Sequence, residues 1–414
     1  MEAHSNGVPT IGYVVSTWPR LSQTFVLTEI VALERRGVPL RIFSAKDPGG
    51  EPVHAKVSQV QAEVTYLSLR RYWKRIVRAN LRLARELPGR YVLALLHALG
   101  YGRVGVLRRF FQAGYLAHLL RRQPVAHLHA HFATAPALLA MFASELTGIP
   151  YTFTAHARDI YVDTRRKLLR KQIERARAVV TVSEYNRRYL SNEISPKSNG
   201  KVHCIYNGID LTDFKFRWPR ESDRGPAVIL SVGRLIEKKG IEDLINAAAI
   251  LKQRGRSFRV EIIGSGPLRK ALQIRAAQLG LGDWVEFLGA QPHEKVSSAY
   301  ERAAIFALPC VVTAEGDRDG IPTVVLEAMA SGVPVVSTPV SGIPELIDSP
   351  RDGILVPPNN PSQLADALDL LLGDRQLREC LARAARAKVE SQFVVERSSG
   401  QLLSLFLNGN GAGR

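Results

Sequence analysis

Cysteine is scarce in this chain of 414 residues. Cys204, Cys310 and Cys380 are scattered and odd in number, which excludes a disulfide framework and a cysteine-rich metal site and suits a reducing compartment. Long hydrophobic runs are missing as well. Nearly apolar stretches such as Tyr91–Leu99, broken by His97, are far too short to cross a bilayer. Met1–Pro9 carries neither a basic segment nor an apolar one, so no secretory signal is visible and a cytoplasmic location is expected. Acidic residues are depleted in one half only. Residues 1–206 hold 31 Lys and Arg against 13 Asp and Glu, while residues 207–414 hold 25 of each, so the formal net charge of +18 sits in the first half. Such a split implies that one half meets an anionic surface and the other does not.

What is present is the composition of a folded protein, 46% hydrophobic and 23% charged, in a chain long enough for two domains. Short β-branched runs alternate with amphipathic helices, the pattern of a parallel sheet covered on both faces. In the first half, strands are predicted at Thr10–Ser16, Pro39–Ser44, His127–His131, Tyr151–Ala155, Val179–Ser183 and Val202–Tyr206. Helices are predicted at Thr24–Arg36, Leu69–Leu87, Pro136–Thr147 and Glu184–Glu193. The polar, proline-containing stretch from Asn207 to Pro226 interrupts the alternation and reads as a linker. Strands resume at Val228–Val232, Arg259–Ile263, Val285–Leu288, Ala304–Leu308, Pro334–Ser337 and Gly353–Val356, with helices between them, and three helices close the chain. The expected division is a Rossmann-like domain over 1–206, a linker over 207–226 and a second Rossmann-like domain over 227–392. A helix with a polar tail over 393–414 is expected to return to the first domain. Open α/β sheets place ligands at the carboxyl ends of their strands, which puts the expected site in the cleft where the two sheets face each other.

Two segments carry the chemistry. In the first, Ser231-Val232-Gly233-Arg234-Leu235-Ile236-Glu237-Lys238-Lys239-Gly240, a buried strand ends at Gly233 and a helix opens at Gly240. Arg234 and Lys239 flank this turn, where free backbone N–H groups and a helix N-terminus favour a diphosphate; alternatively they are solvated surface cations. The second segment runs from Glu315 to Val336. A glycine turn leads into a helix from about Pro322 to Ser331, with Asp319 just ahead of it and Glu327 among apolar neighbours. An idle charge there is costly, which favours a carboxylate with a task, such as accepting sugar or ribose hydroxyls.

In this order, the two segments resemble the family-four glycosyltransferases of the GT-B fold. That family carries a Gly-Arg-Leu…Glu-Lys-Gly turn, followed by a Glu-x7-Glu motif running into Leu-Glu-Ala-Met-Ala-x-Gly-x-Pro-Val. The resemblance implies that Arg234 and Lys239 bind the donor diphosphate, Glu327 the ribose, and Asp319 the donor sugar. Asp319 departs from the family's Glu and is shorter by one methylene. Gly320, Ile321 and Thr323 of the same motif fall on the donor side, as do Gly264 and Gly266 of the Gly-x-Gly turn, which lies near the nucleotide base in that family. Thr154-Ala155-His156-Ala157-Arg158-Asp159 resembles the family's Thr-x-His-Gly-x-Asp and implies a catalytic role for His156 beside Asp319. The loop Thr17–Phe25 resembles one found in members that build surface polysaccharides, which places Arg20 and Ser22 on the acceptor side. Asn207-Gly208-Ile209-Asp210 matches the family's interdomain hinge.

The resemblance implies a retaining hexosyltransferase that moves a sugar from a nucleotide diphosphate sugar to a lipid-linked or saccharide acceptor. No cofactor is expected, and cationic side chains and helix dipoles, with no metal, are expected to neutralise the diphosphate. His127, His129 and His131 alternate on one strand, but no carboxylate or cysteine is near them in sequence, so no metal is expected there. The alternatives are a sugar-nucleotide epimerase or phosphorylase on the same fold, or a nucleic-acid-binding protein; no recognised nucleic-acid module is present. In Leu69–Leu87 an apolar stripe of Leu69, Tyr72, Trp73, Ile76, Val77, Leu83, Ala84 and Leu87 opposes a face of arginines. This amphipathic pattern, with a second basic stretch over Arg103–Arg122, predicts peripheral attachment to an anionic membrane face. Packing of the stripe on the chain's own sheet is the other reading.

Overall fold

The computed structural model describes residues 8–20, 23–50, 54–218 and 225–407. Two compact units emerge. One comprises residues 1–182, 186–206 and 398–414, and the other residues 183–185 and 207–397.

The N-terminal unit is built on β1 (Ile11–Thr17), β2 (Leu40–Lys46), β3 (Glu63–Tyr66), β4 (His127–His131), β5 (Tyr151–Ala155), β6 (Ala178–Thr181) and β7 (Val202–Cys204). They form one parallel sheet in the order β3-β2-β1-β4-β5-β6-β7. Every residue of β4, β5 and β6 is buried, as expected for central strands covered on both faces. The edge strand β3 has no fully buried residue, so its four positions lack the apolar run that marks the others. Between β3 and β4 the chain makes three helices, Leu69–Glu86, Pro88–Leu99 and Val104–Arg122. Gln112 anchors this excursion by donating to the carbonyls of Ala45 and Leu67 at 3.0 and 2.7 Å.

The predicted stripe on Leu69–Leu87 divides in the structure, with Leu69, Tyr72, Ala84 and Leu87 packed against the core of this unit. Ile76, Ala79 and Leu83 are buried in the core, whereas Trp73 and Val77 point outward. The core-facing and outward rows therefore lie on different faces of the helix. Leu402 and Phe406 of the last helix, Val395–Leu407, pack in the core of this unit beside Ile11 and Tyr13.

The C-terminal unit contains β8 (Ala227–Val232), β9 (Phe258–Ile263), β10 (Val285–Gly289), β11 (Ile305–Leu308), β12 (Val335–Ser337) and β13 (Ile354–Leu355), all parallel, in the order β10-β9-β8-β11-β12-β13. In both sheets the order reverses once, between β1 and β4 and between β8 and β11. At such a switch point the loops leaving the two central strands diverge and open a crevice at their carboxyl ends.

Gly240 holds the second crevice in shape. It sits at φ +64° where the turn after β8 becomes the helix Ile241–Gln253, and a Cβ there would lie 1.8 Å from the carbonyl oxygen of Pro309, just after β11. Gly240→Ala should therefore weaken the C-terminal unit by about 2–5 kcal/mol through left-handed strain and backbone overlap. An earlier urea transition of that unit is the expected result; an unchanged one would show that the turn relaxes freely.

Candidate active site

The residues singled out around the first motif converge on the β8–β11 switch point. Lys238 and Lys239 lie on the 3-10 turn Glu237–Lys239. Lys239 Nζ is 2.6 Å from Asp319 Oδ2, and Lys238 Nζ is 3.3 Å from Asp319 Oδ1 and 3.1 Å from Asp317 Oδ1. Burial opposes charge on both partners, yet the mutual attraction prevails: Asp319 holds Lys239 above its ordinary value, and the two lysines hold Asp319 below its own. Cys310 Sγ lies 3.6 Å from Asp319 Oδ2, and burial, followed by Asp319, pushes its thiol well above the ordinary cysteine value, which makes it an inert neighbour. Arg234, by contrast, is exposed, and its guanidinium makes no hydrogen bond or ion pair among the described residues.

The backbone of this turn is set by two glycines. A Cβ on Gly264 would lie 1.8 Å from the Gly233 carbonyl oxygen, and one on Gly266 would lie 2.4 Å from that of Leu235. The two loops are also joined by Leu235 N–H to the Ser265 carbonyl at 2.9 Å. Gly264 and Gly266 thus brace the cationic turn from behind, main chain against main chain.

Glu327 forms a second centre on the helix Thr323–Ala330. Pro322 stands at the N-cap of this helix, one residue ahead of the first turn expected for it, and Thr323 opens the helix behind the buried Gly320 and Ile321. The Tyr300 hydroxyl donates to Glu327 Oε2 at 3.0 Å. Burial pushes the Glu327 carboxyl up to about 7; the Tyr300 hydrogen bond works against this and the nearby charge of Asp213 adds to it.

In the N-terminal unit, His156 follows β5 directly. Its backbone N–H and that of Ala157 donate to Asp159, whose carboxylate also receives Ala133 N–H at 2.8 Å. The imidazole is packed between Phe25 and Phe132, with ring centroids 4.7 and 4.5 Å away. Phe132, at the end of β4, holds φ +76°, a rare conformation for a bulky residue and one that collects at functional sites. Burial, reinforced by His131, keeps the His156 pKa well below the ordinary histidine value.

His127, His129 and His131 are all buried. The expectation that no carboxylate is near them is corrected: Glu29, from the helix Thr24–Arg35, lies 3.0 Å from His131 Nε2. The ligand atoms of Glu29, His129 and His131 fall within 4.8 Å of one another. Both His129 nitrogens, however, are already bonded to the Thr152 and Thr154 hydroxyls, at 2.8 and 3.0 Å. Arg20 is exposed on the loop after β1, and Ser22 lies outside the described residues.

Sequence reasoning missed Tyr300 and Glu29, which reach the site from elements distant in sequence. It also passed over a legible signal, since Asp317 and Asp319 have the Asp-x-Asp spacing of a metal-binding pair. Here both carboxylates are engaged by lysine ammonium groups.

The raised carboxyl makes a pH-dependent prediction. A folded-state value near 7 against an ordinary 4.5 means that the protein gives up stability as pH rises through about 7. Glu327→Gln should leave stability nearly unchanged at pH 5 and raise that of the ligand-free protein by about 1–3 kcal/mol at pH 8. Thermal melts at the two pH values check this; equal shifts at both would place Glu327 in a solvated setting.

Comparison with known proteins yields two matches between sequence and family models. Residues 213–388 match the model described as glycosyl transferases group 1, and residues 22–213 match that of glycosyltransferase family 4. WcaL of Escherichia coli K12, named as a glycosyltransferase of colanic acid biosynthesis, is 30% identical over 413 residues, spanning 95% of this chain and 98% of its own. Among solved structures, sucrose-phosphate synthase from Thermosynechococcus elongatus superposes with a TM-score of 0.72 at 19% identity, covering 98% of this chain and 100% of that one. Alr3699/HepE from Anabaena, solved in complex with UDP-glucose, gives 0.71 at 17% identity, covering 97% and 100%.

Proposed function

We propose, from the premise that this chain belongs to glycosyltransferase family four and has the GT-B fold, that it transfers a hexosyl group, with retention, from a nucleoside diphosphate sugar to a lipid-linked saccharide. The coarser statement, a glycosyltransferase of the polysaccharide-biosynthesis type, follows from the same relatives. The observation that carries the finer reading is the buried Lys238–Lys239–Asp319 cluster at the switch point, with exposed Arg234 at its side. A diphosphate presented to this turn meets Lys239 and Arg234, while Asp319 accepts from a sugar hydroxyl. Glu327, ionised, accepts from the ribose hydroxyls, with Tyr300 fixing its orientation. Charge developing on the departing nucleoside diphosphate is stabilised by preorganised cations, so no metal is required. The bound nucleotide sugar of the similar Alr3699/HepE structure supports this donor class.

Three variants test the assignment. Lys239→Ala and Arg234→Ala should each lower turnover by about 10²-fold or more, and chelators should leave the wild type unchanged. Asp319→Asn should lose turnover while nucleoside diphosphate affinity, read by calorimetry, holds or rises, because its partner lysines are released to the ligand. A strict requirement for a divalent ion would overturn the metal-free reading. Consumption of donor with no acceptor present, or release of sugar phosphate, would instead favour an epimerase or a phosphorylase.

An anionic membrane as the site of the acceptor is supported by the helical excursion of the N-terminal unit. Trp73, Val77, Leu81, Val92, Leu93, Leu96, Leu99 and Val104 are all exposed there, Leu93 by 70%. Arg70, Arg71, Lys74, Arg75, Arg78, Arg82 and Arg85 stand exposed beside the first three. No helix among the described residues is long and apolar enough to cross a membrane. Apolar side chains bordered by cations suit a helix lying in the interface of a cytoplasmic leaflet. Each cation near such a surface contributes about 1 kcal/mol, so reversing Arg71, Arg75 and Arg78 to Glu should cut partition onto anionic vesicles by more than about 10²-fold. Leu93→Glu with Leu96→Glu should also weaken it, and neutral vesicles should bind little. Indifference to both vesicle types at low salt, in sedimentation, would point to a soluble acceptor.

A further inference from the structure

The histidines of β4 end in a chain of contacts that donor binding leaves unused. The Tyr13 hydroxyl on β1 donates to Glu29 Oε1 at 2.7 Å. The same oxygen is 3.0 Å from His131 Nε2, and His131 Nδ1 is 3.3 Å from His156 Nε2. The direction of these bonds follows from their acceptor end. A carboxylate oxygen only accepts, so the hydrogen between Glu29 and His131 belongs to His131 Nε2. With a single N–H on the His131 ring, that hydrogen occupies Nε2 and leaves Nδ1 with a lone pair. A neutral imidazole carries one N–H, so His131 Nδ1 accepts and His156 Nε2 donates.

Burial keeps His156 itself neutral. Its remaining nitrogen, Nδ1, therefore presents a lone pair. No described group hydrogen-bonds that atom, and the residue retains 8% exposure. The ring is held against turning over. It stacks on His131 with centroids 5.6 Å apart and 23° between planes, Phe25 and Phe132 pack around it, and Asp159 fixes its backbone.

We propose that Glu29 and His131 are positioning residues that fix His156 as its Nε2–H tautomer, so that His156 meets a substrate hydroxyl as a hydrogen-bond acceptor through Nδ1. The substrate side of this statement rests on the transferase reading above. The hydrogen-bond chain lies wholly within the N-terminal unit and stands without it. A ligand at this position must bring an O–H donor; a deoxy or O-methyl sugar there leaves Nδ1 unmatched and is discriminated against.

Full-length protein labelled with nitrogen-15 histidine gives the tautomer directly by long-range proton–nitrogen NMR, with His156→Gln identifying the resonance. The expected spectrum has His156 protonated on Nε2 and bare on Nδ1. Protonation on Nδ1, or on both nitrogens, would overturn the proposal, as it would if a cationic His131 reversed the chain. Glu29→Gln is nearly isosteric but offers an N–H where the carboxylate offered none, so His131 and His156 should shift wholly or partly to the opposite tautomers. Turnover should then fall by at least about 10-fold with the donor KM within about 2-fold, and Glu29→Asp should restore both tautomer and rate. An unchanged tautomer in Glu29→Gln overturns the positioning role. A reversed tautomer with unchanged turnover overturns the contact of His156 with substrate and leaves the hydrogen-bond chain intact.

Discussion

Two ammonium groups and two carboxylates share the buried floor of the crevice between β8 and β11, and the C-terminal unit is arranged around keeping them there. Removing such ions from water costs several kcal/mol each, and mutual attraction offsets this only when the geometry is close. The 2.6 Å approach of Lys239 to Asp319 and the two contacts of Lys238 meet that condition. Because these partners already hold the cations in place, a diphosphate bound as proposed would exchange one set of negative partners for another without first ordering the lysines. Preorganised charge of this kind does not have to reorient as the reaction proceeds.

The N-terminal unit solves a different problem with different chemistry. The buried network along β4 is made of imidazoles, hydroxyls and the half-buried Glu29 carboxylate, joined by directional hydrogen bonds with no lysine or arginine among them. Burial suppresses protonation of His127, His129 and His156, so the network consists largely of dipoles. One unit thus gathers buried charge, and the other gathers dipoles. The strained backbone at Phe132 falls at the end of this network, where packing around His156 holds it in place.

Much of the architecture was legible because central strands of a parallel sheet are continuous apolar runs. The strand Ile305–Leu308 is of this kind, while His127–His131 and Tyr151–Ala155 alternate polar and apolar residues, and the predicted positions of all three agree closely with the structure. What escaped was marginal in pattern: the half-buried edge strand Glu63–Tyr66, the helix Pro88–Leu99 with half its apolar residues outward, and the highly charged helix Arg166–Arg175. Asp319, Lys239 and Glu327 stand out in sequence because charges among apolar or glycine-rich neighbours are expensive. Their partners do not. Lys238 meets Asp317 across 79 positions and Glu29 meets His131 across 102, so only the fold brings them together. The stripe on Leu69–Glu86 misled because helical periodicity identifies apolar residues without saying which of two adjacent faces turns inward; Ile76 does and Trp73 does not.

The close approach of Gly264 and Gly266 to the Gly233–Leu235 main chain has a consequence for anyone wishing to alter donor preference. The curvature of the cationic turn is written in peptide groups, not in side chains, and there is no room at its back for even a methyl group. Substitution of the exposed Arg234 would therefore change the charge that the turn presents, on the proposed assignment to a nucleotide sugar, while the curvature of the main chain stays the same. On the proposed assignment, a differently shaped donor would have to be accommodated by the segment between Thr313 and Thr323, where the chain runs through turns around Asp317 and Asp319. Retooling this site is thus a matter of rebuilding one loop against a fixed mould.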